Sequence, residues 1–146
     1  MRIRAAAFVL ASSLALALAI AASASATPAF TVIVNARVRG KSISKATLTQ
    51  VFLGRIDRWG DGQTISPVDL SVTSAVRGSF SESVLGMSVF NVRGHWLRAI
   101  SAGRVPPLTR ATDPEVIAFV AANPGGIGYV AEGAVLPETV KAVGVD

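Results

Sequence analysis

The chain has 146 residues, a formal net charge of +5 at pH 7, one histidine and no cysteine. The lack of cysteine excludes disulfides, thiolate metal sites and a cysteine nucleophile. Because His95 is the single histidine, a histidine metal site or a Ser-His-Asp triad is possible only if it includes this residue. Because lysine and arginine form no run with interleaved aromatic residues, we expect no nucleic-acid partner.

The N-terminal segment 1–26 has the three-part pattern of a secretory signal. Arg2 and Arg4 precede an uncharged run from Ala5 to Ala22, and small residues alternate up to Ala26. We predict cleavage after Ala26 and export to the periplasm or beyond the cell, with no membrane insertion afterwards. The competing interpretation is a retained anchor, because the apolar run approaches the length that spans a bilayer. The remaining residues, 27–146, have a net charge of +3 and suit one domain.

The first half of this domain predicts a strand, a helix and a second strand in that order. The β-branched run Phe30–Asn35 is typical of a buried strand. Ser44 then precedes an apolar pattern at helical spacing that ends before Gly54, which predicts a helix capped by Ser44. After a loop, the second strand is expected at Ile65–Asp69.

Two serine-capped helices are predicted next. The first begins after Ser74 and stops at Gly86, and the second begins after Ser88 and ends at Gly103. The residues expected to face the core are Val76, Phe80, Val84 and Leu85 in the first helix and Val92, Trp96, Leu97 and Ile100 in the second.

The last third of the chain predicts a loop, a helix and two strands. Pro106 and Pro107 should keep segment 104–112 extended. Asp113 is expected to cap a helix with Pro114 at its first position. Strands are expected at Ile127–Val130 and Val140–Val145. Strands that alternate with helices indicate an α/β protein with a central sheet flanked by helices.

The candidate site is the stretch from Val68 to Phe80, VDLSVTSAVRGSF, where a strand leads into a helix. The first N–H groups of a helix lack carbonyl partners and lie at the positive end of its dipole, so such a start can bind an anion. The backbone of Ser74, Ala75 and Val76, the Ser74 hydroxyl and the charge of Arg77 would supply the contacts. The alternative is a turn that caps itself and binds nothing.

Other candidates for chemistry are weaker. Trp59 could stack on a ligand, but a lid over the core is the more common role for a tryptophan beside a helix end. His95 has no partner at metal-ligand spacing, which favours a structural role. A hydrolase that uses Ser74 with Asp69 or Asp113 is disfavoured because His95 is on another helix. We predict no enzyme activity, no metal and no cofactor.

Three segments together resemble the periplasmic phosphate-binding proteins of ABC transporters, which have a type 2 periplasmic-binding fold. The segments are LTQVFLGRIDRWGDGQTISPVD with its Phe52-x-Gly54-x4-Trp59 pattern, the serine turn before a helix that contains Phe80, and DPEVIAFVAANPGGIGYV. The resemblance extends from Leu48 to Val130. It implies one lobe of a two-lobed protein that holds phosphate between its lobes.

The resemblance also assigns candidate ligand contacts. The family's turn commonly reads Ser-Gly-Thr, with an arginine four residues before the serine, whereas this chain has Ser74-Ala75-Val76 with Leu70 in the arginine position. Ser71, Thr73 and Arg77 could compensate for the lost groups. The resemblance implies phosphate or a similar oxyanion as the ligand. It also implies an ABC-transporter membrane complex, or a second lobe from another copy or protein, as the partner. The alternative is an interaction module whose ligand site has decayed.

Overall fold

The computed structural model of the protein describes residues 29–146, and the predicted signal peptide lies outside the described residues. One six-stranded sheet organises the fold. Its strands are β1 (Phe30–Asn35), β2 (Ser42–Ile43), β3 (Ser66–Leu70), β4 (Leu108–Arg110), β5 (Gly126–Ala131) and β6 (Val140–Val145). The order across the sheet is β2-β6-β1-β5-β3-β4. Strand β1 is antiparallel to both of its neighbours, whereas β3 is parallel to β4 and β5.

Within residues 29–146 there are four α-helices. They are α1 (Lys45–Phe52), α2 (Ala75–Phe80), α3 (Val89–Ser101) and α4 (Asp113–Ala122), and a π-helical turn, Ser81–Leu85, continues α2. Of these helices, α2 and α4 pack directly on the sheet, whereas α1 and α3 pack mainly against the turn that follows α2. Ser44, Ser74 and Ser88 cap α1, α2 and α3 as predicted, because each hydroxyl accepts a hydrogen bond from the backbone N–H three residues later. The π-helical turn stops at Gly86, whose φ of 65° suits glycine.

The core combines β-branched side chains of the sheet with an aromatic cluster. The rings of Phe80 and Tyr129 are stacked with their centroids 3.9 Å apart, and Phe52 packs edge-on against both. Because Phe80 lies on α2 and Tyr129 on β5, this cluster fixes the helix that follows the candidate site onto the middle of the sheet.

Gly128 allows α4 to lie close to the sheet. A Cβ atom at this position would come within 2.7 Å of Val68 Cγ1 and 2.9 Å of Val116 Cγ1, so a side chain would displace the helix. Glycine at position 128 is therefore required for the close packing of α4 on β5. The predicted mixed α/β fold with a central sheet flanked by helices is confirmed.

Several local predictions need correction. The second predicted strand is shifted by one residue, to Ser66–Leu70. Segment 104–112 contains the short strand β4, which was predicted as loop because its three residues become a strand only by pairing with β3. The cap of α4 is Thr112 rather than Asp113, since the Thr112 hydroxyl accepts from the N–H of Glu115.

The orientation of α3 was only partly predicted. Val92 and Trp96 are buried, as expected, but Leu97 and Ile100 are exposed and Ala99 takes the third core position. Within residues 29–146, no helix combines the length and the apolar character needed to cross a bilayer.

Candidate functional site

The candidate site lies at the carboxyl end of β3, which is flanked by β4 and β5. The chain leaves the sheet at Leu70 and forms a turn, 71–74, before α2 begins. The Ser71 N–H donates to the Arg110 carbonyl at 2.9 Å, and the Ser74 N–H donates to the Ser71 carbonyl at 2.9 Å. The turn is thus tied to the edge strand β4 and closed on itself.

Ser74 is the N-cap of α2, as predicted from the sequence. Its backbone is extended, with φ −73° and ψ 127°, and its Oγ accepts a hydrogen bond of 3.3 Å from the Arg77 N–H. Neither the Ala75 N–H nor the Val76 N–H has an acceptor among the described residues. These two donors, together with the proton of the Ser74 hydroxyl, are available to an anion.

Ser71 and Thr73 form the outer part of the turn. Their hydroxyl oxygens are 3.0 Å apart, and the Thr73 N–H donates to Ser71 Oγ at 3.4 Å. Val72, at the tip between them, keeps 63% of its surface exposed. The turn therefore places three hydroxyl-bearing residues and one exposed apolar side chain on the same short loop.

Arg77 is directed toward the interior of the protein. Its Nη1 lies 2.9 Å from Asp69 Oδ2 and donates to the Leu70 carbonyl at 2.7 Å, and the residue is buried. The positive charge is consequently paired with a carboxylate at the end of β3 instead of being presented to solvent with the donors of Ala75 and Val76.

Tyr129 completes this buried cluster, because its hydroxyl donates to Asp69 Oδ1. Burial raises the pKa of Asp69, an effect that the charge of Arg77 and the hydrogen bonds from Tyr129 and the Leu70 N–H partly offset. Burial and the neighbouring Asp69 also raise the pKa of Tyr129. The cluster links β3, α2 and β5 directly below the turn.

This buried cluster of Asp69, Arg77 and Tyr129 was not predicted from the sequence. A signal was nevertheless present, because Arg77, Phe80 and Val84 are spaced by three and four residues and so share one helical face. Phe80 and Val84 were expected in the core, so the same periodicity would have indicated that Arg77 is buried and needs an acidic partner, although its charge was assigned to the ligand.

The other residues considered for chemistry have structural contacts. Nε2 of His95 is 2.9 Å from the Leu53 carbonyl, and Trp59 Nε1 donates to the Gly125 carbonyl at 3.1 Å. Asp113 Oδ2 accepts from the Ala131 N–H at 3.1 Å. Among residues 29–146, no three histidine or acidic side chains are grouped as a metal site would require.

The turn and the helix start are partly exposed to solvent, since Val72, Thr73 and Ala75 are all exposed. A cavity of about 620 Å³ is found near the other end of β3, where Ser66, Pro67, Trp96 and Phe119 contribute to its lining, and none of residues 71–77 lines it. An anion at the Ser74 turn would therefore lie outside this cavity, at the exposed surface of residues 72–75.

Three solved structures of bacterial proteins share this fold. They include an ABC-type phosphate transport receptor from Vibrio cholerae (20% identity, TM-score 0.62) and a putative phosphate ABC transporter substrate-binding protein with bound phosphate from Clostridium perfringens (20% identity, TM-score 0.65). PstS from Borrelia burgdorferi is a third, with 14% identity and a TM-score of 0.64.

The matches cover most of this chain but only part of each receptor. They span 81%, 82% and 82% of the chain and 46%, 45% and 47% of the Vibrio, Clostridium and Borrelia proteins, respectively. The chain thus corresponds in fold to less than half of each receptor, and the predicted resemblance to a single lobe is confirmed. No protein-family model matches the sequence. No curated protein matches it with significance either.

Proposed function

We propose that the chain binds phosphate or a similar oxyanion at the Ser74 turn, without catalysis. The observation that carries this proposal is the pair of unsatisfied donors at Ala75 and Val76, beside a Ser74 hydroxyl whose proton is free. Backbone N–H groups at a helix start are directed at an anion and cost no side-chain entropy when they bind it. The likeness in fold to receptors for phosphate transport supports this choice of ligand.

The affinity of the isolated chain should be modest. Arg77 is already paired with Asp69, so neutral donors and the helix dipole supply most of the attraction. Each charge-assisted hydrogen bond to an anion contributes ~1.5–3 kcal/mol, and the valine at position 76 offers no hydroxyl to add one. Ser71 and Thr73 are the nearest residues with hydroxyl groups that could do so.

Because the turn is exposed, a ligand bound there would need contacts from a second protein surface to be enclosed. A ligand held on one side stays hydrated on the other, and binding sites normally enclose most of their ligand. We propose that a second lobe, from another copy of this chain or from another protein, closes over residues 71–76. An exported chain of this kind would act as the binding component beside an ABC-transporter membrane complex in the periplasm.

Calorimetric titration of chain 27–146 with phosphate, and with sulfate for comparison, tests the proposal. Ser74→Ala should weaken saturable phosphate binding by about tenfold or more, because it removes the hydroxyl donor and loosens the helix start. Ser88→Ala is the matched control, since Ser88 caps α3 with the same geometry (3.2 Å to the Asn91 N–H) and should leave binding unchanged.

Absence of binding by a chain shown to be folded would contradict the proposal. It would favour the second candidate function, an interaction module that docks on a partner protein without a ligand of its own. Two observations support that alternative: the charge of Arg77 is neutralised internally, and Val72 exposes an apolar side chain at the tip of the turn.

A further inference from the structure

Helix α3 exposes an apolar face that the proposed anion site does not explain. Phe90, Leu97 and Ile100 keep 80%, 62% and 51% of their surface exposed. Their spacing of seven and three residues places them along one side of the helix, next to the buried stripe of Val92, Trp96 and Ala99. The helix therefore has two apolar faces, and only one of them packs on the protein.

Arginines surround this second face, with Arg93 and Arg98 on α3 and Arg104 in the segment that follows the helix. Arg93, Arg98 and Arg104 are exposed, and none lies within 4 Å of a carboxylate among the described residues, where Arg77 and Asp69 form the one ion pair. The sequence from Ser83 to Thr112 contains four arginines and no acidic residue. Phe90, Arg93, Leu97, Arg98, Ile100 and Arg104 are called the basic apolar face below.

We propose that the basic apolar face binds the surface of an anionic phospholipid bilayer. Exposed phenylalanine, leucine and isoleucine beside arginines are the composition of helices that lie in the membrane interface. The apolar side chains would enter the boundary between headgroups and acyl chains, while the arginine side chains extend to the phosphates.

Charge complementarity selects this occupant over a second copy of the chain. A symmetric dimer through α3 would bring the arginines of both copies together without an acidic residue to separate them, and like charges in an interface are costly. A bilayer that contains phosphatidylglycerol offers both negative charge and an apolar layer. Contact with such a surface would be peripheral, since the helix lies on the membrane and does not span it.

Sedimentation of chain 27–146 with vesicles tests this inference. This segment contains the whole sheet and all core residues of the fold. We expect binding to vesicles of phosphatidylcholine mixed with phosphatidylglycerol, weak binding to phosphatidylcholine alone, and loss of binding as salt is raised. Arg93→Gln with Arg98→Gln should lower vesicle affinity by about fivefold for each arginine removed. Phe90→Ser with Leu97→Ser should lower it by about tenfold or more.

Matched controls separate this face from nonspecific attraction. Arg37→Gln with Arg39→Gln removes two exposed arginines near the end of β1, and Val135→Ser removes an apolar side chain that is 91% exposed elsewhere. Both controls should bind vesicles like the unchanged chain, and circular dichroism should show that every variant is folded. Equal loss in the controls, or no binding to anionic vesicles, would overturn the inference. The inference would also be overturned if the chain formed a dimer that Leu97→Ser dissociates, because a second copy would then cover the basic apolar face.

Discussion

The guanidinium of Arg77 lies 2.9 Å from the carboxylate of Asp69, and the two side chains keep only 8% and 10% of their surface exposed. This buried pair joins the first turn of α2 to the end of β3. The pair fixes the position of the candidate anion site relative to the sheet, because Arg77 also donates a hydrogen bond to the carbonyl of Leu70, the last residue before the turn.

Removing one member of the pair should be costly. We expect Arg77→Met to lower the free energy of unfolding by ~3–5 kcal/mol, because it leaves Asp69 buried with its main charge partner gone. Urea unfolding followed by circular dichroism measures the change. Asp69→Asn combined with Arg77→Met should lose less than the sum of the two single variants, since neither buried charge remains. Additive losses would show that the pair is not coupled.

Tyr129 should make the protein sensitive to high pH. Its pKa is raised from the ordinary value of 10.0, so the folded state holds the phenolic proton more tightly than the unfolded state. The resulting stabilisation is fully present below pH 10 and is lost as the pH rises toward the folded pKa. Above pH 10 we expect the free energy of unfolding to fall by ~1.4 kcal/mol per pH unit from this group. Tyr129→Phe should lack this contribution.

The chain offers a direct measure of the same effect, because Tyr129 is its single tyrosine. The ultraviolet absorbance of tyrosinate therefore reports on this residue alone. It should stay absent from the folded protein at pH values where a denatured sample already ionises. Coincident titration curves for folded and denatured chains would contradict the buried hydrogen bond to Asp69.

Two glycine positions should respond in opposite directions to alanine. Gly128→Ala should destabilise the protein by ~1–3 kcal/mol, because the new methyl group would meet Val68 and Val116. Gly78→Ala should stabilise it by up to ~1 kcal/mol, since Gly78 lies within α2 and nothing is within 4 Å of its added Cβ. Thermal unfolding of both variants distinguishes a packing limit from a general preference for glycine.

The three serine caps should contribute similarly to stability. Ser44, Ser74 and Ser88 each accept from the N–H three residues later, at 3.1, 3.3 and 3.2 Å. Alanine at any one of them should cost ~1 kcal/mol. Denaturant midpoints give the comparison. A much smaller loss at Ser74 would indicate that the candidate turn is held mainly by the Arg77 cluster instead of by its cap.

Local chemistry made much of the fold predictable. The strands Phe30–Asn35 and Val140–Val145 have the bounds expected from their β-branched runs, and the serine caps follow from hydroxyl side chains before apolar helical patterns. By contrast, β4 has three residues and little intrinsic signal, so its pairing with β3 depends on the tertiary structure. Leu97 and Ile100 were placed in the core because periodicity cannot tell which of two apolar faces of a helix is buried.

The candidate site was likewise predictable only in part. Ser74 and the donors of Ala75 and Val76 were predicted from the strand-to-helix pattern, and their geometry as a capped helix start is as expected. Whether they bind an anion remains a prediction. The pairing of Arg77 with Asp69 and Tyr129 joins residues up to 60 positions apart, and it could be inferred only by extending the helical periodicity to a charged residue.

The pairing of β1 with β5 and β6 affects how the protein folds during synthesis. Strand β1, the first in residues 29–146, has both of its neighbours, β5 and β6, in the last 21 residues. During synthesis β1 must therefore wait until nearly the whole polypeptide has emerged before its edges are paired, and pairing over such sequence distances is slow. A nascent chain that stays open this long suits translocation in an unfolded state, as the signal predicted for residues 1–26 would require.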